Sequence, residues 1–432
     1  MRNVYKCGAA LVSAALLLSA CGGSDSGDSG GAKGDPNAKV TLTWWHNGVD
    51  EPLKGYFQGV ADAYTAAHPN VTFKIEPIQN ETIQTKITVA LQSNNPPDIF
   101  QQWGGGDLAT QVDTGKVQDI TAATKSVIDP IGASAGGWKV GDKQYGVPFS
   151  LGVVGFWYRT DLFKQAGIDT PPTTMDELNA AVTKLKAAKI QPISVGSKDK
   201  WPDAFYWGYF ATRECGQDVL QKATKEINFS DPCFLKAGQD LQAFLATKPF
   251  QNGFLGTPAQ TGAGSASGLL ANGKAAMELQ GHWETGVVGG LTPDKKQLGD
   301  KLGWFPFPAV NGGAGAPDAA FGGGDGFSCS VKAPPACADF LNFMMQADNQ
   351  KKFAALNVGL PLTPGSETAV SDTSLKSLLD FRNKASFVEL YFDKALPTSV
   401  GQALNDEIAN MFAGKSSPDK IVKAVADAAA NQ

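Results

Sequence analysis

Between residues 39 and 112 the apolar residues switch repeatedly between a period of two and a period of three to four. No other feature of this 432-residue chain constrains its fold as tightly. Val40, Leu42 and Trp44 alternate with polar neighbours and predict a strand over residues 39–45. Pro52 suits the first position of a helix, and Phe57, Val60, Ala61 and Tyr64 follow at helical spacing as far as His68-Pro69-Asn70. Val71, Phe73 and Ile75 alternate again. Ile83, Ile87, Ala90 and Leu91 mark a second helix that stops before Pro96-Pro97. Residues 98–101 read as a short buried strand and 108–112 as a further helix. Strand–helix–strand–helix order predicts a parallel sheet covered by helices.

Residues 145–158 break this rhythm with two extended stretches around Pro148 and Gly152, a candidate crossing between lobes. Helices dominate afterwards. Thr174 with Glu177 forms a capping box, and Asp231-Pro232 opens a helix carrying Leu235, Leu241, Phe244 and Leu245. A short strand over 275–279 leads into Gly281-His282-Trp283, and the Gly/Pro-rich tract 305–326 is a second candidate crossing. Short helices over 338–346 and 400–412 complete the pattern. At this length two or three domains are expected, and two α/β lobes joined by more than one strand is the simplest architecture.

The first 21 residues do not read as fold. Arg2 and Lys6 precede an apolar run over 9–20 that is too short to span a bilayer. It ends in Leu18-Ser19-Ala20-Cys21-Gly22, which resembles a bacterial lipobox and implies cleavage before Cys21 and lipid attachment to its sulfur. Residues 22–38, rich in Gly, Ser and Asp, read as a tether. The net charge of −5 and the absence of a long Lys/Arg run argue against nucleic-acid binding. Four further cysteines, an even number in an exported chain, suggest disulfides. Sequence proximity favours Cys215–Cys233 and Cys329–Cys337 among three connectivities. Zinc is disfavoured, because neither CxxC nor paired His spacing occurs.

In open α/β sheets, ligands bind beyond the carboxyl ends of the strands. After the first strand come Trp44, Trp45, His46 and Asn47, and after the third come Gln101, Gln102, Trp103 and Gly104-Gly105-Gly106. Neighbours on a strand point to opposite faces, so one of Trp44 and Trp45 is expected to be surplus to packing, at the crevice. Indole rings beside Asn, Gln and Asp suit sugars, whose C–H faces stack and whose hydroxyls need directed hydrogen bonds. Asn80, Trp201, Trp283 and Asp325 are further candidates, whereas Glu81 and Trp207 read as surface or core. Catalytic patterns are poor. The chain has three His and a glycine run over 322–326 without the GxxxxGK[ST] pattern. A glycosidase would need two flanking carboxylates, for which Asp325, Glu284, Asp199 and Asp203 are available.

Several runs together resemble one family. They are the lipobox and tether, Val40 to His46, Asn94-Asn95-Pro96-Pro97-Asp98-Ile99-Phe100, Tyr145-Gly146-Val147-Pro148-Phe149, Trp157-Tyr158-Arg159-Thr160-Asp161-Leu162-Phe163 and Gly281-His282-Trp283. In that order and spacing the chain from Lys39 onward is similar to the extracellular solute-binding lipoproteins of ABC sugar importers, the maltose-binding-protein-like family, and within it to actinobacterial binders of xylobiose and short xylo-oligosaccharides. The resemblance implies a two-lobed α/β periplasmic-binding-protein-like fold of type II, with the ligand cleft between the lobes. It divides the chain into a signal peptide (1–20), a lipidated Cys21 with tether (21–38), one lobe (39–148 with 321–360) and a second (149–320 with 361–432).

The resemblance carries Trp103 and Gly104 onto a sugar-contact loop, Trp283 onto an aromatic platform, Lys200 and Trp201 onto second-lobe contacts and Asp325 onto a crossing beside the cleft. Arg159 stands where many relatives have Asn and is not counted as a contact. The expectation is a non-catalytic, cofactor-free, metal-free monomeric body, lipid-anchored outside the cell membrane, whose partners are an oligosaccharide and membrane permease subunits. The alternatives are a secreted glycoside hydrolase and a binder of another oligosaccharide, such as a galacto- or gluco-oligosaccharide.

Overall fold

The computed structural model describes residues 39–431. The signal sequence, Cys21 and the tether lie outside the described residues. The strands are β1 (Val40–His46), β2 (Val71–Pro77), β3 (Ile99–Gln102), β4 (Lys139–Val140), β5 (Lys143–Gln144), β6 (Val147–Val153), β7 (Gly155–Arg159), β8 (Ile193–Ser194), β9 (Met277–Gln280), β10 (Leu302–Phe305), β11 (Ala320–Cys329) and β12 (Val388–Leu390).

The first sheet runs β12-β11-β3-β1-β2, with β6 also paired to β11. β1 is parallel to β2 and β3, in the register Trp44↔Ile75 and Trp44↔Ile99. The predicted helices appear as α1 (Leu53–Ala67) and α2 (Asn80–Gln92), and the next as α3 (Gly105–Asp113), which starts three residues before its apolar signal. The second sheet runs β10-β7-β9-β8. Only Val154 separates β6 in the first sheet from β7 in the second, and the chain returns between Phe305 and Ala320. The expected lobe boundaries differ here from the hydrogen bonding. Residues 149–153 and β12 belong to the first sheet, because both form ladders with the long strand β11.

Each sheet face has its own core. On one face of the first sheet Trp44 is fully buried, its ring edge-on to Phe57, Phe327 and Phe340. The other face packs Ile83, Ile87, Leu91, Phe100, Trp103, Leu108 and Trp138, with Trp45 at its margin. The second sheet carries an aromatic core of Phe156, Tyr206, Trp207, Tyr209, Phe210 and Phe234 under the helices Trp201–Glu214 and Pro232–Ala246. Cys215–Cys233 links those two helices, with Cα atoms 5.3 Å apart. Cys329–Cys337 ties the end of β11 to the helix Ala336–Met344 at 6.1 Å.

At the crossing, a Cβ on Gly152 would lie 2.3 Å from the His282 ring, so only glycine fits there. That ring is held in place, its Nε2 lying 2.9 Å from Ser150 Oγ. Burial, with Arg382 nearby, pushes the His282 imidazole down to about 3, so it is neutral.

Candidate functional site

The chain leaving the carboxyl ends of β1, β2 and β3 supplies residues 47–53, Gln79 with Asn80, and Trp103 to one wall of a cleft, and β11 adds Gly324 and Asp325. The facing wall comes from the second sheet: Trp201 and Phe205 at the start of their helix, Gln260, and Trp283 with Gly286 and Val287 after β9. Tyr391, Asp393 and Lys394, just past β12, complete the lining. Its position follows from the fold, since strand carboxyl ends in α/β sheets deliver loops rather than side-chain layers.

Rings dominate the second wall. Trp283 meets Trp201 at 6.4 Å and Tyr391 at 6.5 Å between centroids, both edge to face, and Phe205 lies 5.2 Å from Tyr391. On the first wall the Lys394 ammonium sits 5.2 Å from the Trp103 ring centroid. It donates to Gln84 Oε1 at 2.8 Å. Asp325 Oδ1 accepts from Gln101 Nε2 at 2.7 Å. Burial pushes the Asp325 carboxyl up to about 6, against hydrogen bonds from Asn47, Trp103 and Gln101 that favour its charged form. Trp283 Nε1, the Tyr391 hydroxyl and Gln260 Nε2 are buried without a hydrogen-bond partner among the described residues. A buried polar group left in that state costs about 1–3 kcal/mol, which a polar ligand would recover. Burial, with Asp325 second, holds the Tyr391 phenol well above its ordinary range, so it stays a hydrogen-bond donor.

Of the residues singled out in the sequence, Asn80, Trp103, Trp201, Trp283 and Asp325 line this cleft. Trp44, Trp45, His46, Gln102, Gly104 and Lys200 do not. Neither Trp44 nor Trp45 is surplus, because the sheet has helices on both faces and each ring finds a covered side. Trp44 enters the first core, and Trp45 lies under the Lys86 ammonium, 4.2 Å from its centroid. His46 is fully buried against Phe57, and burial with Lys54 nearby pushes it down to about 3.

Gln102 acts one layer back. Its Oε1 accepts from the backbone N–H groups of Trp103 and Gly104 at 2.8 and 2.9 Å, fixing the loop that presents the Trp103 ring. Gly104 takes φ +80° and leaves no room for a Cβ, which would sit 2.5 Å from the Gly137 carbonyl oxygen. Lys200 is exposed and paired with Asp406 at 2.6 Å. Arg159 is buried, and its guanidinium donates to both carboxylate oxygens of Asp161 and to the carbonyls of Leu270 and Ala271. Among the four carboxylates considered for hydrolysis, only Asp325 lines the cleft. Glu284 and Asp203 are fully buried elsewhere, and Asp199 accepts from the Ala259 N–H at 2.7 Å beside a neighbouring cavity.

Sequence reasoning missed Phe205, Gln260, Tyr391 and Lys394. Phe205 had a signal, standing one helical turn after Trp201. Tyr391 and Lys394 follow a three-residue strand whose partner, β11, is distant in the chain.

The chain matches the model of the bacterial extracellular solute-binding protein family over residues 50–351. An uncharacterised ABC transporter extracellular-binding protein of Pyrococcus horikoshii is 24 % identical over 94 % of this chain and 91 % of that protein. The diacetylchitobiose binding protein DasA of Streptomyces coelicolor is 25 % identical over 80 % of this chain and 79 % of its own. A solved structure from work on xylan utilization by Caldanaerobius polysaccharolyticus superposes with a TM-score of 0.81 at 26 % identity, covering 89 % of this chain and 98 % of that one. Among the described residues no helix is long and apolar enough to cross a membrane. The fold is the two-sheet α/β periplasmic-binding-protein architecture of type II, and with the match over residues 50–351 the chain belongs to the bacterial extracellular solute-binding proteins.

Proposed function

We propose that this protein captures a short oligosaccharide for an ABC importer, holding it between Trp103 on one lobe and Trp201 and Trp283 on the other. The lobes are those read from the sequence, 39–148 with 321–360 and 149–320 with 361–432, adjusted so that β6 and β12 stay with the first sheet. The observation that carries this reading is the lining itself. Three indoles from two sheets face one space, whose polar members include Asn47, Asn80, Gln260 and Asp325. Sugar C–H faces stack on the rings while hydroxyls meet the orphaned donors of Trp283, Tyr391 and Gln260. Capture at micromolar strength requires about −8 kcal/mol, within reach of two or three stacked rings and several hydrogen bonds after ordering costs.

Xylobiose and short xylo-oligosaccharides are the proposed ligands. The xylan context of one structural relative supports this choice, and the diacetylchitobiose named for a second relative supports a saccharide more broadly. Closure about the strand crossings is driven by contacts that exist only in the closed state, since equal affinity for both states shifts nothing. The monomeric body, anchored through Cys21 and the 22–38 tether outside the cell membrane, then docks on permease subunits. No cofactor or metal takes part.

Titration calorimetry with xylo-, cello-, malto- and chito-oligosaccharides tests the reading. Binding of a short xylo-oligosaccharide that is returned uncut is the expected result. Cleavage would favour the hydrolase alternative, and binding of no saccharide would end the proposal.

A further inference from the structure

A second cavity adjoins the aromatic cleft, and Gln84, Trp103, Trp201, Asp393 and Lys394 line both. Its remaining lining is different in kind: apart from Ile87, Val89 and Gly401 it is polar, with Thr88, Asp107, Gln111, Asp199, Gln402 and Asn405 contributing hydroxyls, amides and carboxylates, and it holds no further aromatic ring. Two bonds lie where the spaces meet. Trp201 Nε1, from the second sheet's helix, donates to Glu81 Oε1 in the first turn of α2 at 3.3 Å. One turn along the same helix, Gln84 Oε1 accepts from Lys394 Nζ at 2.8 Å. Both Glu81 and Gln84 are half-buried, so each bond is partly shielded from water.

We propose that Glu81 determines ligand chain length: its bond to Trp201, seconded by Gln84–Lys394, bars the aromatic cleft at one end. A short saccharide is enclosed behind the bar. A longer one must displace Glu81 from Trp201 and place its extra units in the polar cavity, which offers hydrogen bonds but no stacking. This deepens the saccharide reading above and rests on it. The physical cost of lengthening is the lost interlobe bond and the half-buried carboxylate left behind, and removing that carboxylate should lift both.

The test is calorimetry with the disaccharide and tetrasaccharide of whichever ladder binds the wild-type protein. Glu81→Ala should raise the ratio of tetrasaccharide to disaccharide affinity at least tenfold. Glu81→Gln keeps an acceptor for Trp201 and should leave that ratio near the wild-type value. Thr88→Tyr, which fills the polar cavity, should cancel the gain in the Glu81→Ala background. Circular dichroism confirms that each variant folds. Disaccharide binding with an unchanged ratio in Glu81→Ala overturns the bar alone, and a gain that survives Thr88→Tyr overturns the polar cavity as the place of the extra units. Failure of every ladder to bind the wild-type protein overturns the saccharide reading and the bar with it.

Discussion

The indole of Trp283 meets that of Trp201 edge to face, 6.4 Å between ring centroids and inclined at 69°. The two rings reach this contact from different elements, one at a helix start and the other after β9, and both line the cleft. On the proposed reading, a saccharide stacked on one ring would be flanked by the other.

Trp283→Ala should therefore weaken saccharide binding at least tenfold, about 1.4 kcal/mol or more, with the fold retained. Titration calorimetry beside far-ultraviolet circular dichroism reads both quantities. Unchanged affinity would remove Trp283 from the site.

Asp325 predicts a pH dependence. Its carboxyl sits at about 6 in the folded protein against an ordinary 3.8, so the native state binds the proton more tightly than the unfolded chain does. Its contribution to stability is fully present below about 3.8 and is lost as pH rises through about 6. Melting temperatures of wild type and Asp325→Asn, compared from pH 4 to 7, should differ in slope in that sense. Parallel curves would contradict the shift.

Trp44→Ala should cost stability rather than binding. Emptying a fully buried ring site typically costs about 3–5 kcal/mol, and no atom of Trp44 lines the cleft. Denaturant midpoints should fall sharply, while the affinity of the remaining folded fraction stays near that of wild type. A large affinity loss at unchanged stability would place Trp44 in the site after all.

On the lipobox reading, replacing Cys21 by Ser removes the proposed diacyl anchor and should move the protein from the membrane fraction to the soluble one. Retention in the membrane fraction would contradict the lipobox reading.

The parts of this fold legible in the sequence are those fixed by local physics. The capping box at Thr174 forms as read, with Glu177 N–H donating to Thr174 Oγ1 and Thr174 N–H to Glu177 Oε2. The apolar faces of α1 and α2 are the buried ones. Trp44 and Trp45 both pack against the scaffold because alternation counts faces, not covers: a sheet clothed on both sides has room for both rings. Gln102 carried its signal in position only, since its role is to hold backbone N–H groups of the next two residues, which no side-chain pattern reveals. Tyr391 and Lys394 reach the cleft through pairing between Ala320 and Val388, a long-range event invisible to periodicity.

The close approach of Gly152 to His282 has a consequence for how such a molecule can vary. The imidazole is tethered to Ser150 on the same strand, so it cannot retreat from an added methyl group. Every amino acid but glycine would drive its Cβ into that ring at the strand crossing. Variation can therefore proceed along the cleft walls, where Gln260 and Asn80 stand, while position 152 admits nothing larger than a hydrogen atom.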